Sequence, residues 1–226
     1  MSYKSPIEDF KYNLAMLNYD EVIAGIEKFK EYDSETLMSV VSEIGRLNEQ
    51  EVLDSNKIGD REGLKYVTDG AEGPEVHTPE RFKKLYDAVK SSGYVGATMP
   101  TQYGGGGAPF TTAILAGEIG IAANMAFYMG PGLSHGAMKT ILKKATEELK
   151  DKYLPNMTSG EWMGTMCLTE PQCGTDLGLI KSTAVPKDDH YELTGQKIWI
   201  SFGEHDLTEN IIPVSYTHLT LPTTHC

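Results

Sequence analysis

At 226 residues the chain is long enough for one large or two small domains, and a composition of 40% apolar and 23% charged residues is that of a globular protein able to bury a core. Twenty basic residues against 32 acidic ones give a formal charge of −12, which argues against a surface for nucleic acid or anionic lipid; any phosphate-bearing ligand must be held locally. Cys167, Cys173 and Cys226 show no CxxC spacing, so neither a disulfide framework nor a metal site is expected, and the chemistry fits a reducing, cytoplasmic setting.

The opening MSYKSPIEDFKYNL has no uninterrupted apolar core, and no apolar run reaches the roughly 18 residues of a membrane span. The run from Ser34 to Lys57 places Leu37, Val40, Val41, Ile44 and Leu47 on one stripe, with Asp33 or Ser34 as N-cap, and predicts an amphipathic helix. A Gly-rich, charged loop follows. In HTPERFKKLYDAVKSSG, Thr78 can cap, Pro79 takes the first helical position, Phe82, Leu85, Tyr86 and Val89 form the stripe, and Gly93 ends it. Phe110 to Met129 is apolar on most sides and reads as a helix buried inside a bundle, too broken by Glu118 and Asn124 to cross a bilayer. SHGAMKTILKKAT and EELKDKYLPNM predict two more helices, the second stopped or bent near Pro155.

Near Gly160 the period changes. EWMGTMCL, IKSTAV, HYELTG and QKIWIS are short, rich in β-branched and aromatic residues, and separated by turn clusters, so strands are expected only after Trp162. Helices followed by strands indicate two domains of an α+β protein rather than a wound α/β sheet.

The motifs carry unequal weight. YGGGGAP, Tyr103 to Pro109, lacks a following Lys-Ser or Lys-Thr and fails the GxGxxG spacing, which makes it an interhelix loop rather than a phosphate cradle. His77, His135, His190 and His205 have no partner at helical spacing for a metal. In TEPQCGTD, Thr169 to Asp176, the spacing of Glu170 and Asp176 is by itself that of turn and cap residues.

The company this loop keeps says more. MCLTEPQCGTD followed about twenty residues later by YELTGQKIWIS resembles the flavin-binding signature of the acyl-CoA dehydrogenase family, and NKIGDREGLK, PTQYGGGG, AANMAFYMGPGLSHGA and YLPNMTSGEWMGTM resemble loops and helices of its longer, bacterial-type members. The resemblance runs from about Tyr3 to Ile212. It implies an N-terminal extension (1–33), an α-helical bundle domain (34–160) and an incomplete β-barrel-like middle domain (161–212), with the C-terminal helical bundle absent. It implies FAD as cofactor. Met166, the Leu168 backbone and the Thr169 hydroxyl would line the flavin, Gly174 would allow close approach, and Thr175, where a serine is usual, would lie near the diphosphate and the substrate thioester. Trp199 and Ile200 would pack on the flavin and Ser201 reach toward N5, with Cys173 in the place of an alanine and Glu170 and Pro171 shaping the turn.

The implied reaction oxidises an acyl-CoA to the 2,3-enoyl-CoA, with electron-transferring flavoprotein as acceptor and a homo-oligomer as the full-length assembly. The family's base is a glutamate in the C-terminal bundle. None of Glu170, Glu204 or Glu209 matches its position, so no catalytic residue is assigned and the 226 residues alone are expected to be inactive and to bind FAD weakly or not at all. Residues 213–226, PVSYTHLTLPTTHC, resemble no member and read as a non-native tail. An acyl-CoA oxidase, which shares the flavin motif, and a non-catalytic helical interaction module are the alternative readings.

Overall fold

The structure, a computed structural model, describes residues 3–70 and 73–215. It opens with α1 (Ile7–Met16) and the single turn α2 (Tyr19–Val22), whose Phe10, Leu14 and Tyr19 form a small core with Leu37, Met38 and Val41 of α3 (Ser34–Leu47). Asp33 caps α3, its carboxylate accepting the Thr36 N–H at 2.8 Å. Val40, expected on the buried stripe, is exposed, because positions 37, 41 and 44 already fill the face that meets α1 and the bundle. Past Leu47 the helix widens into a π turn, Asn48–Val52, and continues as α4 (Leu53–Glu62) until Gly63, at φ 64°, stops it.

The next segment corrects the expectation of strands only after Trp162. β1 (Lys65–Gly70) and β2 (Gly73–His77) form an antiparallel hairpin, Lys65 opposite His77. KYVTDG is β-prone but short and flanked by glycines and charges, so it reads as loop until its partner strand is seen. The hairpin is a surface ribbon with Leu64 and Tyr66 exposed, not a central sheet.

α5 (Glu80–Ser91) begins one residue later than expected, with Pro79 as N-cap. Thr78 does not cap it: its N–H and hydroxyl both go to Asp206, at 3.0 and 2.7 Å. Lys83 Nζ lies 2.9 Å and His77 Nδ1 3.3 Å from the same carboxylate, so Asp206 ties the hairpin and α5 to the loop before the last strand. Burial alone would raise the Asp206 pKa, but the bonds from Thr78, Lys83 and His77 hold it well below the usual carboxylate range. A carboxyl depressed in the folded state contributes fully above its unfolded pKa and loses that contribution as pH falls below it. Asp206→Ala is expected to cost about 2 kcal/mol at neutral pH and progressively less in acid, read from denaturation midpoints at both pH values. An equal loss at both would remove the charge from the account.

α6 (Phe110–Lys144) joins what the sequence suggests are two helices, and its break lies at Asn124 (φ −157°, ψ 92°) rather than between Met129 and Ser134. Asn124 is an internal N-cap: its side chain accepts the Phe127 N–H at 3.1 Å and donates to Ser55 Oγ at 2.8 Å. By length and composition α6 could cross a membrane. Here it is the central helix, packed on α3, α4, α7 and β3. α7 (Glu147–Ser159) runs through Pro155 and ends at Gly160, φ 83°. The main core gathers Val52, Leu85, Val89, Met99, Phe127, Met138, Leu154 and Met157 with Met163 of β3 (Trp162–Cys167).

After Gly160, β4 (Thr183–Pro186) and β5 (Tyr191–Thr194) pair antiparallel, and β3 pairs in parallel with β6 (Asn210–Ser215), Trp162 opposite Asn210. With the N-terminal hairpin these make three separate two-stranded sheets, and no closed barrel forms among the described residues. QKIWIS, expected as a strand, is irregular. β6 continues through Pro213, Val214 and Ser215, into the segment expected as a tail; the rest of that tail lies outside the described residues.

Candidate functional site

The TEPQCGTD loop is built around a buried anion. Glu170 is 3% exposed, and its carboxylate accepts from Lys197 Nζ (2.8 Å), the Lys181 N–H (2.8 Å), the Ser182 N–H (3.0 Å) and Gln172 Nε2 (2.5 Å). Burial pushes its pKa up, but these bonds, led by Lys197 and Ser182, overcome that and hold the carboxyl well below its usual range. A carboxylate with its lone pairs so fully occupied is an anchor, not a base. The assignment of Glu170 to shaping the turn therefore has a mechanism.

Lys197 is the residue to which the sequence reading gives no role. Its ammonium also donates to the Leu168 carbonyl at 2.9 Å, so one side chain fastens the second motif to the first. Beside it the Ile198 N–H donates to the Thr169 carbonyl (2.9 Å) and Thr165 Oγ1 to the Ser201 carbonyl (2.6 Å). These bonds bring Met166, Leu168 and Thr169 alongside Trp199, Ile200 and Ser201. They also explain why QKIWIS is not a ladder strand: β6 occupies one edge of β3, and the segment is held by a side-chain anchor instead. At Gly195, φ 152°, a Cβ would collide with Ser182, so only glycine makes the bend into the segment.

Trp199 and Phe202 both sit at positive φ, 60° and 54°. For bulky residues this is strained backbone, and it brackets Ile200 and Ser201. The Trp199 indole is 84% exposed. Among the described residues no hydrogen bond takes the amides of Gly174 and Thr175 or the hydroxyls of Thr169 and Thr175. Uncommitted donors beside a glycine, next to a bare aromatic face, fit a ligand that has a polar edge, a diphosphate and a flat ring system. A flavin is such a ligand.

Other candidates recede. In the glycine-rich loop the N–H groups of Gly105, Gly106, Gly107 and Ala108 donate to the carbonyls of Pro100, Gly96, Met99 and Ala97, so none is left for a phosphate. Burial pushes the Cys167 thiol up, against the pull of Lys197, which disfavours a thiolate nucleophile. No group of His, Cys, Asp and Glu among the described residues could hold a metal ion.

Ser201 also lines an open cavity of about 330 Å³ walled by α4, the N-terminal hairpin, α5, the capped second half of α6 and the 201–207 loop. Its wall is mostly apolar, with Phe82, Phe127, Met129 and Phe202, and His205 is buried in it. Burial pushes the His205 pKa down, with Asp206 pulling the other way. His205, passed over in the sequence because it has no helical partner, is invisible as a site residue until the cavity is seen.

The family model described as Acyl-CoA dehydrogenase, N-terminal domain, matches residues 65–161. The 3-methylmercaptopropionyl-CoA dehydrogenase of Ruegeria pomeroyi is 34% identical over 94% of this chain and 35% of its own. Among solved structures, an acyl-CoA dehydrogenase complexed with FAD from Bacillus anthracis is 27% identical with a TM-score of 0.59, over 76% of this chain and 27% of its own. A chain in the structure of the electron transferring flavoprotein of Acidaminococcus fermentans is 27% identical with a TM-score of 0.63, over 76% of this chain and 41% of its own. The chain thus spans roughly a third of the length of the proteins it matches. With the helical domain, the β segment and both linked motifs in place, residues 65–161 carry the N-terminal domain of the acyl-CoA dehydrogenase family, and the chain as a whole is similar to members of that family.

Proposed function

We propose that these residues form the flavin-binding wall and part of the acyl pocket of a dehydrogenase that converts acyl-CoA thioesters to 2,3-enoyl-CoA. The observation that carries this reading is the Glu170–Lys197 clamp, which sets two otherwise separate motifs side by side with their donors facing no protein partner. FAD is the cofactor of the reading, supported by likeness to a relative solved with FAD. The Leu168 backbone and Thr169 hydroxyl would hold the pyrimidine edge, Gly174 and Thr175 the diphosphate, and Trp199 and Ile200 the ring, with Ser201 near N5. Thr175 would also meet the substrate thioester. Bound there, the flavin supplies a two-electron acceptor for the hydrogen leaving the β carbon.

The chain's own part is binding, orientation and exclusion of water. The apolar cavity beside Ser201 takes the acyl chain out of water and directs its reacting carbons toward the Trp199 to Ser201 segment. Proton abstraction at the α carbon is not assigned to any of these residues: Glu170 is committed to its four donors, and Glu204 and Glu209 are exposed. Electron-transferring flavoprotein as the acceptor, a homo-oligomeric assembly and a cytoplasmic setting complete the reading.

The test is the double replacement Thr169→Val and Thr175→Val in the native protein. Losing two hydroxyl donors is expected to weaken FAD binding roughly tenfold or more, measured as flavin absorbance retained after gel filtration, while far-ultraviolet dichroism stays unchanged. Flavin content equal to that of the unaltered protein would remove both residues from the site.

A further inference from the structure

The Lys197 side chain is 12% exposed and gives its ammonium to two acceptors, the Glu170 carboxylate at 2.8 Å and the Leu168 carbonyl at 2.9 Å. The first bond neutralises a buried anion. The second places a cation on one particular peptide unit, because the Leu168 carbonyl and the Thr169 N–H belong to the same amide. A trans peptide points its N–H away from its carbonyl, so the Thr169 N–H faces away from the clamp. It donates to no acceptor among the described residues, although the Thr169 carbonyl is taken by the Ile198 N–H at 2.9 Å. One amide is thus gripped by a cation at its oxygen and left uncommitted at its nitrogen, in a residue that is itself only half-buried.

Hydrogen bonds in series polarise one another: an ammonium drawing on a carbonyl oxygen makes the N–H of that amide a stronger donor, the more so where little water screens the charge. A stronger donor favours an acceptor that carries negative charge. We propose that Lys197, acting through the Leu168–Thr169 peptide, favours the reduced over the oxidised form of the bound flavin and so raises its reduction potential. This rests on the reading of the loop as the wall that holds the flavin's pyrimidine edge. Taking up a hydride, which is one proton and two electrons, gives a neutral ring system one negative charge, and a strengthened donor at that edge stabilises the charged form more than the neutral one. Glu170 moderates the effect without cancelling it. Its carboxylate shares its charge among the Lys181 and Ser182 N–H groups and Gln172, whereas the ammonium touches the polarised peptide itself.

The test is the midpoint potential of FAD bound to the native protein and to two variants, read by anaerobic equilibration with a reference dye. Lys197→Met combined with Glu170→Gln removes both charges and strands neither. Reduced FAD is then expected to lose about tenfold more affinity than oxidised FAD, a fall of about 30 mV for a two-electron couple. Glu170→Gln alone leaves the ammonium on the Leu168 carbonyl without its counter-charge, and the potential is expected to rise, by about 15 mV for a threefold change in the same ratio. A clamp that only aligned the two motifs would weaken both redox forms by one factor, lowering flavin retention and leaving the potential where it was. Unchanged potentials, or shifts of the same sign in both variants, would overturn the role of Lys197 and leave the flavin wall standing. Should one variant fail to fold or to hold flavin, the sign of the shift in the other decides. Failure of the unaltered protein to bind either redox form of FAD would overturn the flavin wall itself, and this inference with it.

Discussion

Replacing Lys197 with methionine is expected to reduce flavin retention by about a hundredfold, the scale on which a displacement of roughly 1 Å at a binding wall acts. The ammonium is the only cation on the Glu170 carboxylate among the described residues, and the carboxylate side chain is 2% exposed. Methionine keeps much of the lysine stem's volume but removes the charge, which leaves a buried anion with three neutral donors. The carboxyl then either takes up a proton, abandoning part of its hydrogen bonding, or the loop opens to water; both move Thr169 and Leu168 away from Ile198 and Trp199. Adding Glu170→Gln removes the stranded charge, so the double variant should retain more flavin than Lys197→Met alone. Retention is read from the flavin spectrum after desalting, with thermal melting alongside. If Lys197→Met retains flavin normally, the clamp is ornamental and the wall is ordered by something else.

How much of this was legible in the residues differs from element to element. The helices over Ser34–Leu47, Glu80–Ser91 and Glu147–Ser159 announce themselves through apolar spacing and caps, since a helix's own neighbours at three and four residues decide its face. The β1–β2 hairpin does not, because a strand's stability lies in a partner that local pattern does not reveal. The same limit hides the capping role of Asn124: an asparagine inside an apolar run looks like an interruption until Ser55, sixty-nine residues away, is found on its other side. At the site, the TEPQCGTD loop and the Trp199–Ser201 segment were visible as a linked pair of motifs. What joins them was not, because Glu170 and Lys197 meet across 27 residues and each has an ordinary explanation alone. His205 was the hardest to see. Its place on the cavity wall comes from contacts that only a three-dimensional arrangement can show.

Phe127→Ala is expected to cost about 4 kcal/mol of stability, toward the upper part of the range for truncating a buried aromatic. Phe127 is 2% exposed, stacks on Phe82 with centroids 5.8 Å apart and planes 5° from parallel, and meets Tyr128 edge-on at 5.4 Å. Its backbone N–H is the one that Asn124 caps, so the residue stands where the second half of α6 begins and little backbone freedom remains to close a gap. The ring also lines the cavity of about 330 Å³, so its removal enlarges a space that already exists instead of leaving a small void that neighbours can fill. Poor collapse is what places a truncation at the costly end. Denaturant midpoints of the two proteins, with the slope held in common, measure the loss. The same change has a signature in binding: with the wall removed, the pocket should discriminate less between pentanoyl-CoA and heptanoyl-CoA than the unaltered protein does. A stability loss under about 1 kcal/mol would mean that the bundle closes over the gap. In that case Phe127 would not be the rigid wall on which the proposed acyl pocket depends, and the size of the cavity would have to be set by Phe82 and Met129 instead.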